Sequence, residues 1–173
     1  MRRPVPAPPP VSIDAWCAPF SYEGVARELV ARVKYRQVRA AVPWLAAVMA
    51  ELLEEVRLCD VDAVTWPPTT AARRRRRGFD HAQLLAVQVA RLIDRPALAL
   101  LVRRAGAAQT GRPSTARRLG GPEFVALASP GRVLLVDDVA TTGTTLRAAA
   151  AALRHVGATW IAAATAARTP PSR

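Results

Sequence analysis

Residues 133–146 read VLLVDDVATTGTTL, and their reading decides the fold. Val133 to Val136 form an uninterrupted apolar run. Such a run fits a strand covered on both faces, as in a parallel sheet. Asp137 and Asp138 follow where the strand leaves the core. Adjacent carboxylates on a strand point to opposite sides, so they need not share a proton. They suit two tasks: accepting hydrogen bonds from sugar hydroxyls, or holding a divalent cation through water. Ala140, Thr141, Thr142, Gly143, Thr144 and Thr145 then lead into a helix. Gly143 lets the backbone turn tightly. The successive N–H groups and the positive end of the helix dipole make an anion cradle, to which the threonine hydroxyls add donors. Acids and cradle together match a ribose bearing a 5′-phosphate. A plain helix cap is the simpler reading, but a cap needs one Asp or Thr. Between 137 and 145 six of nine residues are Asp or Thr. A P-loop is excluded: there is no GxxxxGK[ST], and the only lysine is Lys34.

Outward from this stretch, strand and helix patterns alternate. Helices are predicted over Tyr22–Tyr35, Val42–Val56, His81–Ile93 and Thr145–Val156, with Pro43 in the first turn of the second. Gly157 is a plausible stop for the last. Strands are predicted over Asp62–Thr65, Ala97–Val102, Arg132–Val136 and Trp160–Ala166. Residues 103–121 lack periodicity and read as a long mobile loop. The alternation implies an α/β domain with a mostly parallel sheet flanked by helices, binding its ligand at the carboxyl ends of the strands. The proline-rich residues 1–12 read as a flexible tail, and 13–173 as one domain.

The chain has 173 residues, 51% of them apolar, enough for a single core. The net charge of +12 favours anionic partners, although a general bias toward arginine would produce it too. Cys17 and Cys59 form no CxxC pair, so a zinc site and a disulfide framework are both unsupported. No apolar run reaches the length of a membrane span, and MRRPVPAPPP lacks the apolar core of a signal peptide. The expected compartment is the cytoplasm.

The stretch VLLVDDVATTGTT closely resembles the signature of type I phosphoribosyltransferases. In order along the chain, YEGVARELVARVKYR, WPP…RRRGFDHAQLLA, RRAGAAQ…ARR…F and VLLVDDVATTGTTL resemble the ComF family. This is a phosphoribosyltransferase-like family associated with DNA uptake in bacteria. The chain departs from the family in four places. It has no N-terminal four-cysteine zinc ribbon. Trp66-Pro67-Pro68 stands for Pro-Val-Pro, and Asp80-His81 for Asn-Gln. The family's Arg-x-Asn before the late Phe is missing.

The resemblance implies a type I phosphoribosyltransferase fold with a mobile loop or hood. It implies binding of 5-phosphoribosyl-1-pyrophosphate (PRPP) with Mg²⁺ and transfer of the phosphoribosyl group to an acceptor. Asp137 and Asp138 would act at the reacting sugar and touch the metal indirectly. Residues 140–145 would hold the 5′-phosphate. Pro68, Thr69 and Thr70, supported by Arg73 to Arg77, would form the diphosphate loop. Arg77 and Gly78 belong to the RGF match, and Gln109 and Lys34 match family positions. The alternative is a non-catalytic protein of DNA uptake that binds single-stranded DNA through Arg73, Arg74, Arg75 and Arg76. A run of arginines is also compatible with a solvated surface segment, and an oligomer is compatible with the sequence. His81 reads as a helix-start residue or a catalytic one, His155 as a helix-dipole partner. The four tryptophans read as packing residues.

Overall fold

The structure, a computed structural model, describes residues 8–22, 38–104 and 121–169. The predicted helix beyond Tyr22, with Lys34, and most of the predicted loop, with Gln109, lie outside the described residues, as does the start of the tail.

Among the described residues the strands are β1 (Ala15–Cys17), β2 (Phe20–Ser21), β3 (Ala63–Thr65), β4 (Leu101–Arg103), β5 (Phe124–Ala126), β6 (Arg132–Ala140) and β7 (Trp160–Arg168). The helices, numbered in chain order, are α1 (Val38–Glu55), α2 (Ala71–Arg77), α3 (His81–Leu92) and α4 (Thr144–His155). The main sheet runs β1–β7–β6–β3, with β2 pairing β7 beyond the end of β1. Every pairing in it is parallel.

The apolar run of β6 explains why this strand is central. Leu134 and Val136 face one layer, packing with Leu45, Met49 and Leu53 of α1 and Leu85 and Val89 of α3. Val133 and Leu135 face the other, against Leu146, Ala149, Ala150 and Leu153 of α4. Alternate residues of one strand thus feed two cores. Leu134 and Leu135 are fully buried, and each contributes about 1.5–3 kcal/mol of burial. The alanines of β7, Ala162 to Ala164, are buried with them and keep the helical layers close to the sheet.

Several expectations change here. Ala97–Val102 is not a strand of the main sheet. Ala97 makes an isolated parallel bridge to Val64, and β4 pairs antiparallel with β5 in a separate two-stranded ribbon. The arginine-rich stretch is a helix. Thr70 caps its start, its Oγ1 accepting the Arg73 amide at 3.2 Å, and Gly78 closes it in the left-handed region at φ 79°. Arginine is a good helix former, so two caps suffice to fold the run. Helix α1 begins at Val38, which puts Pro43 inside it, past the first turn. Strand β6 continues through both aspartates to Ala140, held by pairing of Asp137 with Thr165 and Val139 with Ala167.

The cysteines are free thiols. Burial, and then the neighbouring Cys59, push the Cys17 thiol up to about 12. Only the thiolate is nucleophilic. Native Cys17 is therefore expected to react with iodoacetamide at pH 8 at least roughly tenfold more slowly than in the unfolded chain. Mass spectrometry of the alkylated protein, with and without denaturant, checks this.

Candidate functional site

The carboxyl ends of β3 and β6 open into a cleft of about 440 Å³. Pro67, Pro68 and Thr69 after β3 form one wall, together with Arg73, Arg76 and Arg77 of α2. Asp137, Asp138, Thr141 and Thr145 form the opposite wall. Arg103 reaches in from the ribbon, and Tyr22 from the end of β2. Asp80 and His81 close the base at the start of α3.

The acidic pair is shaped by its own backbone. Asp137 Oδ1 accepts the Asp138 amide at 2.8 Å, and Asp138 Oδ1 accepts the Val139 amide at 2.7 Å. Both side chains are half-buried, and both line the same cleft. This is compatible with the opposite directions expected of adjacent strand residues. The cleft lies across the end of the sheet rather than on one face, so it reaches both.

The turn after β6 leads directly into α4. Gly143 is the N-cap of α4, in the left-handed region at φ 68°, and has no side chain to cap it; the Thr144 amide donates to Thr142 Oγ1 at 3.4 Å. The first-turn amides therefore lack intrahelical acceptors. Thr141 and Thr145 face the cleft. Thr142 and Thr144 instead share a hydrogen bond between hydroxyls at 2.8 Å. Ala140 is buried, and its carbonyl accepts the Thr169 amide at 2.9 Å. One side of Gly143 is covered: a Cβ there would stand 3.0 Å from Pro10 Cγ. Pro10 belongs to a short turn anchored by the Ile13 amide donating to its carbonyl.

The arginine run divides by helical spacing. Arg73 to Arg76 are all exposed; Arg73, Arg76 and Arg77, at i, i+3 and i+4, line the cleft, and Arg74 and Arg75 do not. Arg77 Nε is buried without a hydrogen-bond partner among the described residues. Of the expected diphosphate contacts, Thr69 and Arg77 line the cleft, while Thr70 and Gly78 set the ends of α2. His81 is buried, with its ring edge-on to Phe79 at 4.8 Å between centroids.

Sequence reasoning missed Arg103, Tyr22 and the part played by Asp80. Burial lowers the pKa of the Arg103 guanidinium, as does the charge of Arg73; Asp137 and Asp80 oppose this. The guanidinium also lies 5.5 Å from the centre of the Phe124 ring. The helical spacing of the arginines was available in the sequence. Arg103 opens the family-like RRAGAAQ segment, but that match assigned it no role.

The parallel strands thus end in an acidic pair and a glycine turn into a helix, with a row of arginines across the cleft. Residues 82–173 match the phosphoribosyl transferase domain family, and the chain belongs to that family. It is 36% identical over 104 residues to competence protein F of Haemophilus influenzae, a match covering 56% of this chain and 45% of that protein. The chain thus aligns with less than half the length of this relative. Among solved structures it is similar to the allosteric regulatory enzyme of purine biosynthesis, with a TM-score of 0.51 and 24% identity, covering 75% of this chain and 26% of that one. A purine phosphoribosyltransferase from Pyrococcus horikoshii aligns with a TM-score of 0.48 and 18% identity, covering 76% of this chain and 83% of that one. The type I phosphoribosyltransferase fold expected from the sequence is the fold observed. Among the described residues no helix is long and apolar enough to cross a membrane.

Proposed function

We propose that the chain binds PRPP with Mg²⁺ and transfers its phosphoribosyl group to an acceptor, releasing diphosphate. One observation carries this reading. The acidic pair, Thr141 and Thr145 on either side of the glycine turn, and four arginines line a single cleft. Asp137 and Asp138 hold the ribose hydroxyls. Thr141, Thr145 and the first-turn amides of α4 hold the 5′-phosphate. Arg73, Arg76, Arg77 and Arg103 take up the charge of the diphosphate as it leaves. The sugar passes through an oxocarbenium-like centre at C1, so the protein contributes position and charge stabilisation rather than a covalent partner.

The residues present fit Mg²⁺ in the way this ion is usually held. Among the described residues no group of three or more His, Cys, Asp or Glu forms a cation cage. Mg²⁺ commonly relies on one or two carboxylates together with substrate phosphates. Asp137 and Asp138 would supply the carboxylates, and the bound ion would neutralise charge on the diphosphate. A cytoplasmic location accords with such a substrate.

Calorimetric titration of PRPP with Mg²⁺ tests binding, and a screen of nucleobases for diphosphate release then tests turnover and identifies the acceptor. Saturable binding with release is the expected result; no binding contradicts the proposal.

A second reading has its own support in the similarity to a competence protein and in the exposed Arg74 and Arg75. On it, the chain binds single-stranded DNA without turnover. Affinity would then fall steeply with salt and drop on R74A/R75A, while D137N/D138N would leave it unchanged.

A further inference from the structure

Asp80 stands at the N-cap of α3 but does not cap it. Its carboxylate turns back across the cleft base, and Oδ2 accepts the Thr69 amide at 2.7 Å. A capping bond normally stabilises a helix start, so an aspartate that forgoes it is committed elsewhere. Asp80 is 7% exposed and lines the cleft with Arg73, Arg76, Arg77 and Arg103. Its charge is felt by the Arg103 guanidinium. The amide it holds lies in the loop assigned above to diphosphate. Arg77, in the same wall, carries a buried Nε donor with no acceptor among the described residues. The subsite therefore has one donor, the Thr69 amide, already satisfied by an internal carboxylate.

We propose that Asp80 is a resident anion of the diphosphate subsite and sets its specificity. Its carboxylate occupies the Thr69 amide that a diphosphate oxygen would take. The incoming group must displace it, or bind beside it against like-charge repulsion. The repulsion is strongest for uncomplexed diphosphate, so Asp80 discriminates against that species. The inference rests on the phosphoribosyl reading of the cleft and names a residue that tunes it.

The test is calorimetric titration of inorganic pyrophosphate, in metal-free buffer, into the wild-type chain and Asp80→Asn. The amide oxygen of asparagine can still accept the Thr69 N–H, so the loop keeps its support while the charge is lost. The variant is expected to bind pyrophosphate about tenfold more tightly. An unchanged or weaker affinity, or no binding by either protein, overturns the proposal. Ribose 5-phosphate, titrated in parallel, is expected to bind both proteins equally. If it binds neither while the pyrophosphate ratio holds, the phosphoribosyl reading fails and the role of Asp80 survives. Should the variant fold poorly, the wild-type Thr69 amide resonance supplies the answer. It is expected to shift when pyrophosphate is added, and a stationary resonance contradicts the proposal.

Discussion

Replacing both cleft aspartates, in D137N/D138N, is expected to lower the affinity for PRPP by at least about 100-fold while leaving the protein folded. The magnitude follows from what the carboxylates do. A hydrogen bond to a charged group contributes about 1.5–3 kcal/mol, and in the proposed complex two such residues act on one diol. A loss of about 1.4 kcal/mol is tenfold in affinity. The fold is expected to survive because the neighbouring backbone amides keep an acceptor. Asp137 Oδ1 takes the Asp138 amide, and Asp138 Oδ1 takes the Val139 amide. An asparagine oxygen can accept both. Thermal melting with and without PRPP and Mg²⁺ reads both parts at once. The unliganded melting temperature should be close to wild type, and the ligand-induced rise should vanish. A rise that persists would mean that the acids stand beside the ligand rather than on it.

Gly143→Ala is expected to damage both stability and phosphate binding. At φ 68° an alanine is strained by about 1–2 kcal/mol. Its Cβ would also stand 3.0 Å from Pro10 Cγ and 3.5 Å from Pro10 Cβ, so the proline or the turn must give. Together these should lower the melting temperature by about 4–8 °C in a chain of this size. The affinity for ribose 5-phosphate should fall by more than about tenfold, because a shifted turn no longer aims its amides at one point. The two causes separate experimentally. Pro10→Ala removes Cγ, so adding it to Gly143→Ala should recover part of the loss and leave the backbone strain. No recovery would assign the whole effect to φ.

How much of this was legible in the sequence depends on how local the cause is. Strand β6 and helix α4 were readable because Val133–Val136 and the Gly143 turn carry their own signals within a dozen residues. Asp137, Asp138, Thr141 and Thr145 came with them, and all four line the cleft. Strands β1 and β2 were not readable. They are short, carry no alternation, and exist because Ala15–Cys17 and Phe20–Ser21 pair with β7 far along the chain. The partner of Leu101–Arg103 lies across an aperiodic stretch, at Phe124–Ala126, which hid both the ribbon and the place of Arg103. The arginine run is a helix because Thr70 and Gly78 cap it, a signal that a row of like charges does not itself carry. Asp80 marks the far limit. Its meaning depends on a bond to Thr69 that only the folded chain creates.

The central claim is that the turn at Gly143 holds the 5′-phosphate of a ribose whose hydroxyls meet Asp137 and Asp138. Amide resonances of the ¹⁵N-labelled protein, followed while ribose 5-phosphate is added, test it most directly. Saturable shifts are expected, largest at Thr141 to Thr145 and at Asp138 and Val139, and small along α1. Shifts confined to the arginines of α2, with the turn unmoved, would contradict it.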